Sequence, residues 1–71
     1  MERFLRYSLD KGRKIRVVLL QDGALRQTPA TVLALNAEEV TLQTGAKKTP
    51  LTVRRDDILS CDYARGDHGE D

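Results

Sequence analysis

The chain has 71 residues and a mass of 8.0 kDa, which is enough for one small domain and too little for two. Apolar residues make up 39% of it and charged residues 32%, and these proportions exclude both a membrane-spanning chain and a wholly disordered one. The net charge is +1, but eleven of the twelve basic residues lie within residues 1–55 and six of the eleven acidic residues within residues 56–71, which predicts a basic body with an acidic tail.

The first segment fits two interpretations. Leu5, Tyr7 and Leu9 alternate with polar residues as in a strand, and residues 10–13 have the composition of a turn. The residues that would instead line one face of a short helix are Phe4, Leu5, Ser8 and Leu9. We expect the strand, and therefore a minimal helix content for the whole chain.

Residues 14–20 predict the next strand, with Ile15, Val17 and Leu19 on one face. The other face becomes apolar at Val18 and Leu20, whereas a strand with one face in water alternates more cleanly. Either another segment or a second subunit is needed to cover these two residues. Because a small domain without a disulfide often gains stability by association, we expect a homo-oligomer with Val18 and Leu20 in its interface.

The middle of the chain predicts a hairpin and a long bent strand. Asp22 and Gly23 form the strongest hairpin signal of the sequence, and a long strand follows over residues 25–35. Pro29 interrupts this strand, and because proline has no amide donor it requires an edge, a bulge or a bend. A bend halfway along a long strand is what closes a small sheet into a barrel.

The second half of the chain contains three more strand signals. Residues 40–44 alternate cleanly between apolar and polar, and a flexible basic loop is expected at residues 44–49. Further strands are predicted at residues 51–54 and 58–63, on either side of a tight charged turn.

These elements predict an all-β fold with a single domain. We expect a small, strongly bent barrel of five or six strands over residues 1–63, followed by an acidic disordered tail over residues 64–71. The tail would be able to cover a basic groove of the body and weaken its binding to polyanions. The residues expected to face the core are Ile15, Val17, Leu33, Val40, Leu42 and Val53.

Residues 15–60 resemble the Sm-like proteins, a family of small barrels that includes bacterial RNA chaperones. In that family a strand ends in a tight turn, a long bent strand and a short polar turn follow, and an alternating apolar strand comes next. Here Asp22 and Gly23 match the tight turn, Asn36 stands where the family often has aspartate, and residues 40–42 match the strand after it.

The resemblance implies an Sm-like or SH3-like barrel, with RNA as the ligand of the bacterial members. Two departures from the family pattern concern the bend and the RNA site. Residues 28–30 replace the glycine of the bent strand, and residues 52–55 stand where the bacterial chaperones have a Tyr-Lys-His sequence that helps to bind RNA.

Groups suited to catalysis are scarce. His68 lies in the predicted tail, which cannot hold it within hydrogen-bond reach of a substrate, and Cys61 lies in a strand pattern typical of a buried thiol. Asp56 and Asp57 are adjacent and point to opposite faces, so they do not converge with Asp62 on a cation. We expect no enzyme activity, no cofactor and no bound metal.

Seven basic residues remain as candidates for a binding function. They flank the first apolar strand, lie in the basic loop or end the strand after it: Arg13, Lys14, Arg16, Lys47, Lys48, Arg54 and Arg55. If they converge, they will follow the phosphate backbone of a nucleic acid. Binding of single strands also uses aromatic rings on which bases stack, and the only aromatic residues are Phe4, Tyr7 and Tyr63.

We therefore predict a non-enzymatic binding module that is associated with nucleic acid such as RNA, or with regulation. The alternative is a structural or protein-interaction module with no nucleic-acid role. The single cysteine, Cys61, excludes an internal disulfide and favours the reducing cytoplasm. The first residues carry scattered charges and no apolar stretch of signal-peptide length, so we expect no membrane association.

Overall fold

A computed structural model describes residues 1–45 and 47–69 of the chain. It consists of one helix and one antiparallel sheet. In chain order the elements are α1 (Glu2–Lys11), β1 (Ile15–Gln21), β2 (Ala24–Leu35), β3 (Glu39–Thr44), β4 (Leu51–Arg54), a 3₁₀ turn (Arg55–Asp57) and β5 (Ile58–Tyr63). The prediction of a mostly β chain is confirmed, and the sheet has five strands.

The strands follow the order β4-β3-β2-β1-β5. The sheet is open, with β4 and β5 at its two edges among the described residues, so closure into a barrel remains a prediction. No helix within residues 1–45 and 47–69 is long and apolar enough to span a membrane.

The first segment is a helix, so the predicted strand there, and with it the minimal helix content, is wrong. Leu5 and Ser8 are fully buried, while Phe4 and Leu9 pack against the core from the same side of α1. The helix ends at Gly12, which adopts a left-handed conformation (φ 67°) and donates its N–H to the Ser8 carbonyl. The apparent turn after the first segment is therefore a helix C-cap.

Strand β2 changes partner where the sequence predicts a bend. Its first part pairs with β1 as far as Ala30, and its second part pairs with β3 from Ala30 onward. Pro29 pairs with β1 but lies just before the β3 pairing begins, so its missing N–H costs no hydrogen bond to β3.

One core prediction, Leu33, is wrong. Its side chain is 46% exposed, and a register shift between Val32 and Ala34 lies at this position. The extra residue of such a bulge reverses the alternation, so Ala30 and Val32 point inward before it and Leu35 packs against the core after it. The buried apolar core consists of Leu5, Ile15, Val17, Leu19, Ala30, Val32, Val40, Leu42 and Ile58. Val53 packs half-buried against this core.

Ser8 attaches the helix to the sheet beside the bulge. Its buried hydroxyl donates to the Arg13 carbonyl at 2.6 Å and accepts the Val32 N–H at 2.8 Å. One side chain thus satisfies a backbone donor of β2 and a backbone acceptor of the α1–β1 connection.

Candidate nucleic-acid interface

The seven predicted basic residues lie in separate parts of the fold. Arg13 and Lys14 belong to the α1–β1 connection, and Arg16 belongs to β1. The other four are divided between the two ends of β4, with Lys47 and Lys48 before the strand and Arg54 and Arg55 at and after its end. At about 3.3 Å per residue, a four-residue strand holds these two pairs roughly 10 Å apart or more.

Two of the seven are occupied by contacts within the chain. Arg16 donates to the Tyr63 carbonyl at 2.9 Å and forms an ion pair with Asp62 at 3.2 Å, so it joins β1 to β5. Arg55 forms an ion pair with Glu2 of α1. The bond from Arg55 lowers the pKa of Glu2, as does a second bond from Arg6. Each of these two arginines therefore already has a carboxylate partner within the chain.

All three aromatic residues of the chain meet at one end of the molecule. Phe4 and Tyr7 are three positions apart on α1 and share a face, and β5 ends beside them at Tyr63. The Tyr63 ring contacts both edge-to-face, with centroid distances of 4.8 Å to Phe4 and 5.1 Å to Tyr7. We call these three residues the aromatic cluster.

One arginine contacts the aromatic cluster. The Arg3 guanidinium is 5.6 Å from the centroid of the Phe4 ring, and its Nη2 is 3.5 Å from the Tyr63 hydroxyl. A second arginine, Arg13, lies in the connection that follows α1, two residues after the end of the helix. The cluster together with Arg3 and Arg13 forms what we call the aromatic–basic end of the molecule.

The C-terminal segment folds back onto this end. The Tyr7 hydroxyl donates to the Asp67 carboxylate at 2.7 Å, and the Gly69 N–H donates to the same carboxylate at 3.0 Å. The bond from Tyr7, followed by the bond from Gly69, lowers the pKa of Asp67, while the carboxylate raises the pKa of Tyr7. The last two residues of the predicted disordered tail, 70 and 71, lie outside the described residues.

Gly69 lies directly against the Tyr63 ring. A Cβ atom at Gly69 would lie 2.6 Å from Cζ of this ring, closer than two non-bonded atoms can approach. Only glycine therefore permits the backbone to contact the ring so closely. The segment places a carboxylate at the Tyr7 hydroxyl and the backbone of Gly69 against the Tyr63 ring.

A second basic feature lies at the other end of β1, between the β1–β2 hairpin and the β3–β4 connection. It is a cleft of about 280 Å³ lined by Gln21, Arg26, Gln27, Thr28, Thr44, Lys47 and Leu51. Lys47 belongs to the predicted basic set, whereas Arg26 does not. The sequence feature that would have identified Arg26 is its even spacing from Ala30 and Val32. This spacing places Arg26 on the same side of β2 as these two core residues.

The structure bears on two of the groups considered for metal binding or catalysis, the acidic side chains and the thiol of Cys61. No group of three or more His, Cys, Asp or Glu side chains able to hold a metal ion occurs in the part of the chain that the structure describes. Cys61 is half-buried, and burial raises the pKa of its thiol to about 11, so it carries almost no thiolate near neutral pH.

Comparison with other proteins gives no family. No protein-family model, curated protein or solved structure matches the chain.

Proposed function

We propose that this chain is a non-enzymatic, cytoplasmic module of the small-barrel type that binds single-stranded nucleic acid, RNA in particular, at its aromatic–basic end. The observation that carries the proposal is the gathering of all three aromatic rings beside Arg3. Arg13 follows in the α1–β1 connection. Single-strand sites combine aromatic rings for the bases with cations for the phosphates, and both are present here.

The aromatic contribution comes from Tyr63. Its ring contacts those of Phe4 and Tyr7, its hydroxyl accepts from Arg3, and the backbone of Gly69 lies against it. A nucleobase would displace Gly69 and stack on the ring in its place. Stacking of one base on an aromatic side chain contributes roughly 1–3 kcal/mol.

The cationic contribution comes from Arg3 and from Arg13 in the connection after α1. A carboxylate already occupies this end, because Asp67 accepts the Tyr7 hydroxyl. A phosphate oxygen would use the same hydroxyl. The C-terminal segment therefore competes with nucleic acid for this end and lowers the affinity of the full chain.

Fluorescence anisotropy with a labelled single-stranded RNA and the full chain, over a series of salt concentrations, tests the proposal. We expect binding at low salt that weakens steeply as salt rises, since cations on the protein displace counterions from the phosphates. Tyr63→Leu keeps an apolar side chain but removes the ring and should weaken binding by about tenfold. Arg13→Gln should weaken it and flatten the dependence on salt.

Arg26→Gln is the matched control, because it removes an equal charge at the opposite end of β1. It should leave RNA binding within about twofold of the native chain, the range of ordinary surface substitutions. Absence of binding at low salt, or equal losses from Arg13→Gln and Arg26→Gln, would contradict the proposal.

The competition is tested separately with Gly69→Ala, whose new Cβ cannot fit against the Tyr63 ring. It should raise RNA affinity. Gly66→Ala is its control, because Gly66 has a similar left-handed φ (84° against 79°) but nothing near its Cβ position. An equal effect of both substitutions would show that strain, and not release of the segment, changes the affinity.

The outer face of the sheet favours self-association as a second candidate function. Leu20 and Leu25 are direct cross-strand partners on the face away from the core, and they are 43% and 67% exposed. Val18 lies half-buried beside them on β1. A second copy of the chain would cover this apolar strip, which includes the predicted interface residues Val18 and Leu20.

Light scattering coupled to gel filtration tests the second candidate. We expect a mass that is a multiple of 8.0 kDa for the native chain and a monomer for Leu25→Lys. Leu33→Lys is the control, because Leu33 is also exposed but lies outside the strip. A native chain that is monomeric at high concentration would contradict self-association.

A further inference from the structure

The cleft at the hairpin end of the sheet lies beside the part of β2 that precedes its change of partner. Residues before Ala30 pair only with β1, which leaves space between them and the β3–β4 connection. The Gln43 amide holds this connection in place by donating to the carbonyls of Lys47 at 2.9 Å and Thr44 at 3.3 Å. The two walls of the cleft are therefore a strand on one side and a tethered connection on the other.

Arg26 extends from the strand wall in an inward-facing position. It pairs directly with Leu19, and cross-strand partners point to the same face of a sheet. Leu19 is 1% exposed and lies at the end of the core nearest the hairpin. Arg26 itself is exposed and does not extend the core, and it lines the cleft together with Lys47 of the β3–β4 connection.

We propose that this cleft binds a small molecule with a phosphate group, which is held between the guanidinium of Arg26 and the ammonium of Lys47. The two cations come from opposite walls, and the described lining residues include no carboxylate to neutralise them. An arginine fork donates two parallel hydrogen bonds to a phosphate, and a lysine adds a point charge. A phosphate monoester, with a charge near −2, matches the two positive charges.

The size and the remaining lining define the rest of the ligand. At about 280 Å³ the cleft lies just below the roughly 300–1,000 Å³ typical of drug-sized ligands, so it suits a compact monoester better than a polymer. Gln21, Gln27 and Thr44 offer amide and hydroxyl groups for a polar substituent, and Leu51 offers a small apolar surface. This site is separate from the aromatic–basic end and does not depend on nucleic-acid binding there.

Titration of the full chain, followed by the backbone amide signals in NMR, tests the site. The probes are inorganic phosphate, ribose 5-phosphate, sodium chloride at matched ionic strength, and a short oligonucleotide without a terminal phosphate. We expect saturable shifts with the first two probes, centred on residues 26–28, Thr44 and Lys47. Arg26→Gln and Lys47→Gln should each weaken binding by about tenfold or more, since each removes a charged hydrogen-bond donor.

Arg54→Gln is the control for charge, because Arg54 lies at the other end of β4 and outside the cleft. It should change the affinity by no more than about twofold. Shifts that do not saturate, equal losses from Arg54→Gln and Arg26→Gln, or tighter binding of the oligonucleotide at the same amides would each overturn the proposal. The RNA affinity of Tyr63→Leu is measured independently and reports on the aromatic–basic end. The two proposals can therefore fail separately.

Discussion

Replacement of Ser8 by alanine tests how the helix is held on the sheet. The Ser8 side chain is fully buried, and its hydroxyl bonds both to the Val32 N–H and to the Arg13 carbonyl. Alanine keeps the packing volume nearly unchanged but removes both bonds. The expected result is a folded but less stable chain.

The size of the effect follows from what each backbone group loses. A buried Val32 N–H without a partner costs about 1–3 kcal/mol, whereas the carbonyl of the exposed Arg13 turns to water at little cost. Alanine is the better helix former by about 0.5 kcal/mol, which offsets part of this loss. The free energy of unfolding should therefore fall by about 0.5–2.5 kcal/mol. A chain of this length has roughly 4–10 kcal/mol in total, so the loss is substantial.

Urea unfolding followed by circular dichroism measures this loss, and Tm should fall by roughly 5–15 °C for a domain of this size. Ser60→Ala is the control, because Ser60 is exposed on β5 and should change stability by less than about 0.5 kcal/mol. Equal effects of Ser8→Ala and Ser60→Ala would refute the assignment of the Val32 N–H to Ser8.

Three further outcomes are expected. Val32→Thr should destabilise the chain by about 1–3 kcal/mol because it buries a hydroxyl, whereas Leu33→Thr should cost less than about 0.5 kcal/mol. Urea unfolding measures both losses, and a larger loss for Leu33→Thr than for Val32→Thr would contradict the bulge. The thiol of Cys61, with its pKa raised to about 11, should react slowly with iodoacetamide at pH 8 and accelerate up to about pH 11, and a plateau near pH 9 would contradict its burial. Because the pKa of Asp67 is lowered, the stability from its bonds is present above its ordinary pKa and is lost as pH falls through the lowered one. Carbon NMR should show the Asp67 midpoint rising in Tyr7→Phe, and an unchanged midpoint would exclude the Tyr7 bond.

The sequence does not decide between a helix and a strand for the first segment, because its apolar residues fit both the strand period of two and the helix period of 3.6. Leu5, Tyr7 and Leu9 alternate, while Leu5 and Ser8 are also three positions apart, as in a helix. Gly12 does not decide between them, since its left-handed conformation serves a hairpin turn and a helix C-cap equally well. Packing of Leu5 and the bonds of Ser8 favour the helix, and both depend on the sheet beneath it.

The inward face of β2 explains both the wrong assignment of Leu33 and the omission of Arg26. Alternation alone places Val32 and Leu33 on opposite faces without stating which is buried. A bulge depends on how a strand pairs with its neighbour, so it leaves no clear mark in the residues themselves. Once Val32 is known to face inward, Arg26 is also expected to face inward, because it lies six positions earlier and alternate residues of a strand share a face.

The aromatic–basic end depends on both the helix and the sheet. In the sequence, three aromatic residues in 71 argue against a stacking surface. The same three residues become a cluster only when α1 lies beside the end of β5. The sequence gives the number of aromatic rings, but their proximity depends on the packing of α1 against the end of β5.

The connectivity of the sheet also shapes how the chain reaches its native state. Among the described strands, β1 and β5 are the only hydrogen-bonded neighbours that are not consecutive in the chain. The three hairpins close over short connections, whereas joining Ile15 to Tyr63 requires a long loop to close, at a larger cost in chain entropy. Docking of β5 should therefore be the late, slow event of folding, and substitutions in β5 should act mainly on the rate of unfolding.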